Sequence, residues 1–298
     1  MYKLVFDLGG TFIKYALMSD TCEFVEKGKV KTPEYEVNKV LATLKDVIDR
    51  YADRINGIAI SLPGMMDSDT GFMYTGGSFE CFNNVNFFDL MKSITNLPVS
   101  IENDGKAAAL AEVWQGNLSD VNDGIVAILG TGIGGALIKD KKVHKGKHFS
   151  AGEFSFLMVN DVFDFKSAFA MKCSVPGLVH RVEVQLGMDT GTLDGIKLFE
   201  LIEEGNEVAV SAFEEYTKTL AIQLYNLQMI FDPEKILLGG GVSQQPRVQE
   251  SVQRHLDAFY NSLPMNPPRV NLGVCKFFND SNLIGALYHH LQQYKMEE

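Results

Sequence analysis

Cysteine is scarce in this sequence of 298 residues, and the four cysteines lie far apart. They form no Cys-x-x-Cys pair, so their spacing excludes a zinc knuckle and a dithiol redox motif. Isolated cysteines behave as small apolar residues, and we expect free thiols that are buried in a protein of a reducing compartment. The four residues are Cys22, Cys81, Cys173 and Cys275.

The chain also lacks a long apolar run and an excess of basic charge. No segment approaches the roughly 20 apolar residues that a membrane helix needs. The N-terminus has no basic region followed by an apolar core, so we expect no signal peptide and a cytoplasmic protein without a membrane partner. The net charge is −11 and the isoelectric point is about 5.1. No nucleic-acid partner is expected either, because binding to phosphate backbones needs a basic face.

What is present is one pattern that occurs twice. YKLVFDLGGTFIKYAL (residues 2–17) is typical of two strands joined by a tight turn, and GIVAILGTGIGGALIKDKKV (residues 124–143) repeats it. The copies start about 120 residues apart, which indicates two related halves. Helical patterns alternate with strands after each copy, so we predict an α/β sheet in each half. A composition of 46% hydrophobic and 22% charged residues suits a soluble protein of two domains.

Apolar residues at helical spacing predict several helices. One is Ala-rich and closed by Gly116, and one of 24 or more residues is long and amphipathic. The last carries His289 and His290, which we expect at its surface. The predicted ranges are 37–54, 105–116, 208–231 and 281–295.

Three glycine-rich turns follow predicted strands, and two of them belong to the repeated pattern. Backbone N–H groups in such turns, together with threonine hydroxyls, can form sites for phosphate groups. The turns therefore predict a phosphate-binding site that is split over the chain. They are Gly9–Gly10–Thr11, Gly130–Thr131–Gly132 with Gly134–Gly135, and Gly239–Gly240–Gly241.

Other nucleotide-binding motifs do not fit. The Rossmann fingerprint requires Gly-x-Gly-x-x-Gly at the start of a helix, whereas GTGIGG (residues 130–135) continues into a second predicted strand. No segment matches the P-loop pattern, and the HRD and DFG tripeptides of protein kinases are absent.

A further candidate is Asn103–Asp104 in SIENDGKAAALAE (residues 100–112), where a predicted strand ends and a helix begins. Either residue could simply cap the helix, a role that Asn and Asp fill well. The C-terminal ends of strands are also where open α/β sheets bind ligands. An aspartate there could take a proton from a substrate hydroxyl, and the pattern alone leaves both interpretations open.

Six segments in this order resemble the ROK family of sugar kinases over essentially the whole chain. The resemblance implies an α/β fold of two duplicated actin/hexokinase-like (ribonuclease H-like) domains with ATP in the cleft between them. It implies a small domain of residues 1–106 plus 283–298, a large domain of residues 107–282, and a homodimer. The segments are FDLGGTFIKYAL, ISLPG, IENDGKAAALAE, LGTGIGGAL, AGEFSFLMV and LGGGVS.

The resemblance also implies roles for individual residues. Asp104 would be the catalytic base that deprotonates the primary hydroxyl of the sugar. Gly64, Asn103 and Glu153 would contact the sugar, and Asp7 would hold Mg²⁺, through water, beside the phosphates of ATP. The implied nucleotide-binding residues are Asp7, Gly9, Gly10, Thr11, Gly130, Thr131, Gly132, Gly134, Gly239, Gly240 and Gly241.

The sequence departs from the family pattern where the family binds zinc. The family motif Gly-Glu-Ile-Gly-His is GEFSF here, so Phe156 stands in place of the zinc-binding histidine. The cysteine-rich zinc loop is replaced by VFDFKSAFAMKCSVPG (residues 162–177), which keeps Cys173 only. One thiol cannot form the site, so we expect no structural zinc. Ala170 or Met171 stands near the place of an acid that would bind the first two sugar hydroxyls.

This loss bears on the substrate. Without the histidine and the second acid, the anomeric oxygen is no longer tied to polar partners, and Phe156 could stack on a sugar or an aglycone. The favoured hypothesis is therefore a β-glucoside kinase that phosphorylates O6. The alternative is that Phe156 fills the space left by zinc and that the substrate is a free hexose.

Other functions stay open at this stage. Glucokinase, fructokinase or N-acetylmannosamine kinase activity on a free sugar is the first alternative. A non-catalytic sugar sensor with the same fold is an alternative of another class. A DNA-binding repressor is disfavoured by the acidic charge and by the position of Asp7 close to the N-terminus.

Overall fold

Two five-stranded sheets with the same strand order form the framework of the protein. They occur in a computed structural model that describes residues 1–294. The first sheet has the order β3-β2-β1-β4-β8 and the second has the order β11-β10-β9-β12-β13. In each sheet one end is an antiparallel meander and the other end consists of parallel strands. The predicted duplication of an α/β sheet is thus confirmed.

A third, small sheet of β5, β6 and β7 lies in the connection between strands β4 and β8 of the first sheet. The repeated pattern forms the hairpins β1–β2 and β9–β10, as predicted. The strands are β1 (Tyr2–Leu8), β2 (Phe12–Met18), β3 (Phe24–Lys31), β4 (Ile55–Leu62), β5 (Met66–Asp67), β6 (Phe72–Met73), β7 (Val85–Asn86), β8 (Val99–Asn103), β9 (Gly124–Leu129), β10 (Ile133–Lys139), β11 (Lys142–His144), β12 (Lys235–Gly239) and β13 (Leu272–Val274).

The helices include each of the predicted ones. Helix α3 begins at the capping residue Asn103 and ends before Gly116, and α7 spans seven turns. The helices are α1 (Val37–Tyr51), α2 (Phe87–Lys92), α3 (Asp104–Gln115), α4 (Phe169–Cys173), α5 (Val175–Leu186), α6 (Gly195–Glu203), α7 (Glu207–Phe231), α8 (Pro246–Ser262) and α9 (Ser281–Tyr294).

The chain divides into two compact units. The first comprises Met1–Ser119, Lys145–Ala151 and the chain from Asn279 onward, and the second comprises Asp120–His144 and Gly152–Phe278. These limits differ from the expected 106 and 283, because α3 packs along α9 and therefore stays in the first unit. Residues 295–298 of the expected small domain lie outside the described residues.

Each unit has its own apolar core. In the first, α1 and α9 pack with the central strands, and in the second, α5 and α7 cover strands β9 and β12. Burial of these side chains supplies the main driving force for folding. The cores include Leu4, Phe6, Leu44, Ile58 and Ile60 in the first unit, and Ile125, Phe169, Leu220, Ile236 and Val252 in the second.

The surface position predicted for His289 and His290 is wrong. Helix α9 packs against α3 and also against β1, β4 and β8, so more than one of its faces is covered. Both histidines are buried, and Nδ1 of His290 lies 2.9 Å from Oγ of Ser100. An apolar stripe along a helix predicts that one face is buried. Where a helix has neighbours on several sides, as α9 has, polar residues outside the stripe are buried too.

The cysteines among the described residues are free, as expected. Cys173 and Cys275 are buried, whereas Cys22 and Cys81 are half-buried, so the expected burial holds for two of them. Within residues 1–294, no helix combines the length and the apolar character that crossing a membrane requires.

Candidate active site

The first glycine turn, Gly9–Thr11, is supported by the loop that follows β3. The hydroxyl of Thr32 donates to the carbonyl oxygen of Gly9 at 2.7 Å, and the backbone N–H of Thr32 donates to the carbonyl oxygen of Thr11 at 3.1 Å. The hydroxyl of Tyr35 donates to the carbonyl oxygen of Gly10 at 3.2 Å. The turn's carbonyl groups are thus held by protein donors, while Gly10 and Thr11 remain exposed for a ligand.

Asp7 lies at the end of β1, beside this turn, and is 6% exposed. The amide of Asn282 donates to its Oδ1 at 3.0 Å, and Nζ of Lys14 lies 3.4 Å from its Oδ2. Lys14 faces Asp7 because the two residues are partners in the β1–β2 pairing. The carboxylate is therefore fixed in direction and lies beside a cation.

A magnesium ion would fit this carboxylate as a water-mediated ligand. Mg²⁺ keeps several waters and takes direct ligands from one or two carboxylates and from phosphate oxygens. The Asn282 amide holds one oxygen of Asp7 and the Lys14 ammonium faces the other, so a magnesium ion would reach this carboxylate through water rather than directly. Within residues 1–294, no group of three or more His, Cys, Asp or Glu side chains is arranged to hold a metal.

Asn103 and Asp104 lie at the C-terminal end of β8, as predicted. Asn103 caps α3, since its Oδ1 accepts from the N–H of Lys106 at 3.1 Å. Its Nδ2 donates to the carbonyl oxygen of Gly64 at 3.0 Å, and Oδ1 of Asp104 accepts from the N–H of Gly105 at 2.8 Å. The capping interpretation thus holds for Asn103. Asp104 is the first residue of the helix and does not cap it.

Gly64, which accepts the bond from Asn103, has a backbone conformation that other residues rarely adopt. Its φ is +108°, and a Cβ added there would lie 2.0 Å from the carbonyl oxygen of Thr75. Only glycine fits both conditions. The Pro-Gly turn after β4 is therefore held close to Thr75 and to the Asn103 amide.

Behind Asn103, the structure reveals a buried ionic cluster that sequence analysis did not detect. Glu102 is 1% exposed, and its Oε2 lies 2.9 Å from Nζ of Lys145. Nζ of Lys145 also donates to Oγ of Ser68 at 2.9 Å, and this hydroxyl donates to Oε1 of Glu102 at 3.1 Å. No local sequence signal links these residues, since Ser68 lies 34 positions before Glu102 and Lys145 lies 43 positions after it.

The charges of the cluster can be assigned from its surroundings. Burial would raise the pKa of Glu102, but the nearby charges of His289 and Lys145 and hydrogen bonds from Lys145 and the Asn103 N–H lower it below its usual range. Burial lowers the pKa of His289, while the nearby Glu102 carboxylate opposes this shift. Nζ of Lys145 lies 2.9 Å from Oε2 of Glu102 and Nδ1 of His289 lies 3.7 Å from it, so Lys145 is the nearer of the two partners that balance the Glu102 carboxylate.

In the second unit, the turn Gly130–Gly132 connects β9 and β10. The N–H of Gly130 donates to the carbonyl oxygen of Gly132 at 3.0 Å, and the carbonyl oxygen of Gly130 accepts from the N–H of Val175, at the start of α5, at 3.0 Å. Thr131 is exposed, and Gly134 lies one residue into β10. The N–H of Ile133 donates to Oγ of Ser155 at 3.0 Å, which ties the turn to the AGEFSF segment.

The third turn, Gly239–Gly241, lies next to Gly130 because β12 pairs with β9 in parallel. Gly240 has a φ of +86°, and a Cβ there would lie 2.2 Å from the carbonyl oxygen of Leu129. By contrast, a Cβ at Gly241 would meet no atom within 4 Å. The second unit thus brings two of the three predicted turns together and leaves open space at Gly241.

Glu153 and Phe156 lie in and beside a short 3-10 helix, Phe154–Phe156. The half-buried Glu153 precedes this helix, and its carbonyl oxygen accepts from the N–H of Phe156 at 3.3 Å. Phe154 is buried in the core of the second unit. Phe156 points away from that core and is 62% exposed.

A hairpin-like arm follows Phe156. The carbonyl oxygen of Leu157 accepts from the N–H of Phe169 at 2.7 Å, and the N–H of Val159 donates to the carbonyl oxygen of Ser167 at 3.0 Å. Cys173 follows in α4, and burial raises the pKa of its thiol to about 12. The thiol belongs to the apolar core of the second unit. The absence of structural zinc stays a prediction.

Comparison with known proteins identifies the family, since residues 4–293 match the family model described as ROK family. The chain belongs to the ROK family. This ROK protein is 30% identical over 293 residues to a protein from Klebsiella pneumoniae named beta-glucoside kinase, with 97% of this chain and 96% of the relative covered.

Solved structures agree with this assignment. A ROK family protein from Streptococcus pneumoniae, in complex with sucrose, has a TM-score of 0.90 and 28% identity over 99% of this chain and all of the other. A ROK family glucokinase from Streptomyces griseus, in complex with glucose and AMPPNP, has a TM-score of 0.83 and 22% identity over 98% and 100% of the two chains. The predicted actin/hexokinase-like fold is confirmed, and this ROK protein is a carbohydrate kinase.

Proposed function

We propose that this ROK kinase transfers the γ-phosphoryl group of ATP to the 6-hydroxyl of a β-glucoside, with Asp104 as the general base. The relative named beta-glucoside kinase and the complexes of related structures with sugars and AMPPNP support this class of reaction. The observation that carries the β-glucoside assignment is the exposed ring of Phe156 beside Glu153.

The proposed catalytic roles follow from where the side chains are held. Phosphoryl transfer depends mainly on positioning and on stabilisation of charge. Asn103 is fixed by Gly64 and Lys106, and the neighbouring Asp104 carboxylate would face a primary hydroxyl of the bound sugar. Asp104 would accept the proton of that hydroxyl as its oxygen attacks the γ-phosphorus, a step to which a general base contributes about 10²- to 10⁴-fold.

The glycine turns would hold the nucleotide. Phosphate oxygens would accept hydrogen bonds from the backbone N–H groups of exposed turn residues. These residues are Gly10 and Thr11 in the first unit and Thr131 in the second. Gly241, with open space around it, would admit the adenosine portion. Mg²⁺, when bound, would neutralise phosphate charge, and Asp7 would hold it through water.

Phe156 supports a substituted anomeric position. If this ring only filled the space left by zinc, it would be buried among core side chains, as Phe154 is. An exposed aromatic ring can stack on an aglycone or a second sugar. Glu153, immediately before the same 3-10 helix, would bind a hydroxyl of the glucose ring.

The proposal is tested by ADP release with Mg-ATP and a panel of sugars. The panel contains glucose, cellobiose, methyl β-glucoside, fructose and N-acetylmannosamine, and kcat/KM is the readout. Asp104→Asn is the catalytic control, and the exposed Asp49→Asn is matched to it in chemistry. We expect β-glucosides to exceed glucose at least tenfold, about 1.4 kcal/mol of transition-state preference. We expect only Asp104→Asn to lose turnover.

A free hexose that is preferred over β-glucosides would contradict the substrate assignment and leave the kinase intact. Equal activity of Asp104→Asn and the wild type would contradict the role of Asp104. The expected homodimer and cytoplasmic location stay proposals. Light scattering that gives a mass near 33.1 kDa would contradict the dimer.

A further inference from the structure

The ion pair between the buried Glu102 and the half-buried Lys145 is a charged group that the proposed phosphoryl transfer does not use. A buried ion pair is weak evidence for stability, because removal of two charges from water offsets most of their attraction. Glu102 immediately precedes Asn103 and Asp104 in the chain, so the ion pair can influence the position of these two residues rather than only the stability of the fold.

Glu102 controls the backbone of the next residue. Its Oε1 accepts from the N–H of Asn103 at 2.9 Å, as well as from the hydroxyl of Ser68. The amide plane that precedes Asn103 is therefore fixed by a side chain, and the direction of the Asn103 and Asp104 side chains depends on that plane. A carboxylate that lost its counter-ion would draw in water or a proton and give up this geometry.

Lys145 belongs to a segment, Lys145–Ala151, that is grouped with the first unit although its flanking residues in the chain belong to the second. The segment closes on itself, since the N–H of Ala151 donates to the carbonyl oxygen of Lys145 at 3.2 Å. Its contacts in the first unit include a stacked ring pair, Tyr74 and Phe149, and a bond from Nζ of Lys106 to the carbonyl oxygen of Phe149 at 3.4 Å. Lys145 supplies its charged attachment.

We propose that Lys145 and Glu102 are positioning residues for phosphoryl transfer: the ammonium holds the Glu102 carboxylate on the Asn103 N–H, and this contact sets the direction of the Asp104 carboxylate. The inference rests on the proposed role of Asp104. Neither Lys145 nor Glu102 is assigned a contact with the substrate.

The test compares one broken pair with one neutralised pair. Lys145→Met leaves the Glu102 charge unbalanced, and we expect kcat to fall at least tenfold while KM for ATP and for the sugar changes less than threefold. The double variant Lys145→Met/Glu102→Gln has no unbalanced charge, and the glutamine oxygen can still accept from Asn103 and Ser68. We expect its kcat to return to within threefold of the wild type.

The matched control is Lys45→Met, which removes the same charge from an exposed ion pair with Asp49 on α1. We expect its kcat and KM to equal those of the wild type. All assays use folded protein well below the unfolding temperature, so a role in stability alone would lower the unfolding temperature and leave kcat unchanged.

Two results would overturn the inference. The first is a folded Lys145→Met variant whose kcat is within twofold of the wild type. The second is a loss of kcat that the double variant does not recover, which would mean that the lysine itself acts on the substrate. If wild-type protein phosphorylates no sugar of the panel, the proposed function fails instead.

A second pair of variants is independent of Lys145. Glu102→Gln keeps an acceptor for the Asn103 N–H, whereas Glu102→Leu removes it. We expect kcat within threefold of the wild type for Glu102→Gln and a loss of at least tenfold for Glu102→Leu. Equal kcat values for the two variants would contradict the inference even if every variant at Lys145 failed to fold.

Discussion

Phe154 and Phe156 are separated by one residue and have opposite environments. Phe154 is buried against β10, where Gly135 leaves room for its ring, since a Cβ on that glycine would lie 2.7 Å from the ring. Phe156 is mainly in water. An exposed apolar ring forgoes the free energy of burial, which a bound ligand can recover by covering it.

We predict that Phe156→Ala lowers kcat/KM for methyl β-glucoside and cellobiose about tenfold, or about 1.4 kcal/mol, because the aglycone loses a stacking partner. We expect less than a twofold change for glucose. The control is Phe163→Ala, which removes a phenylalanine that is 94% exposed at the tip of the arm after Phe156. A parallel loss for glucose and β-glucosides would count against contact with the aglycone.

At the residue scale, sequence patterns predicted the polar residues that lie in turns or at the ends of elements. Asn103, Asp104 and Gly64 are recognisable because caps and tight turns require particular residue types at particular positions. Glu102 and Lys145 were not found, since a buried ion pair is defined by contact across distant parts of the chain. The burial of Glu102 and its contact with Lys145, and not the spacing of the two residues, make them notable.

At the scale of elements, the contact between α3 and α9 determines the extent of the first unit. Gly285 allows the helices to approach closely, because a Cβ there would lie 1.6 Å from the backbone carbonyl oxygen of Ala107. The ring of Trp114 on α3 stacks on Tyr288 of α9 with centroids 5.0 Å apart. This tryptophan is the only one in the sequence, so its fluorescence reports on this contact.

We predict that Gly285→Ala lowers the free energy of unfolding by about 3 kcal/mol, since the added methyl group meets backbone that cannot move aside without separating the helices. Urea unfolding followed by Trp114 fluorescence measures the change. Gly195→Ala is the matched control at the start of α6, where an added Cβ meets no atom within 4 Å. Equal midpoints for the two variants would mean that the helices separate at little cost.

The element boundaries illustrate what patterns can and cannot predict. Helix α7 was predicted nearly to its ends because a long amphipathic repeat is a local property. The assignment of α3 to a unit depends on its partner α9, which lies far along the chain. The same long-range packing buries His289 and His290, which a single helix pattern cannot anticipate.

At the scale of the whole molecule, His290 links stability to pH. Burial, with smaller contributions from the positive charges of Lys3 and His289, lowers the pKa of His290 to about 3. The unfolded chain binds this proton near pH 6.5, so it binds more protons than the folded protein between about pH 6.5 and 3. The free energy of unfolding therefore falls as the pH decreases through this range.

We predict that wild-type protein loses about 2 kcal/mol more stability between pH 6.5 and pH 5.0 than His290→Gln does, at about 1.4 kcal/mol per pH unit. Urea unfolding followed by Trp114 fluorescence at both pH values gives the comparison. His148→Gln, which changes an exposed histidine of the same unit, should keep the wild-type dependence. Identical pH dependence in all three proteins would show that the pKa of His290 is not lowered by folding.

The discontinuity of the first unit has a consequence for synthesis on the ribosome. Strands β1, β4 and β8 leave the ribosome early, but α9, which covers them, is made only after the whole second unit. At roughly 5–20 residues per second, the N-terminal sheet waits several seconds or longer for this helix. The second unit can therefore complete its core first, although its sequence comes later, and a nascent chain that stops before Ser281 leaves the older half of the protein unfinished.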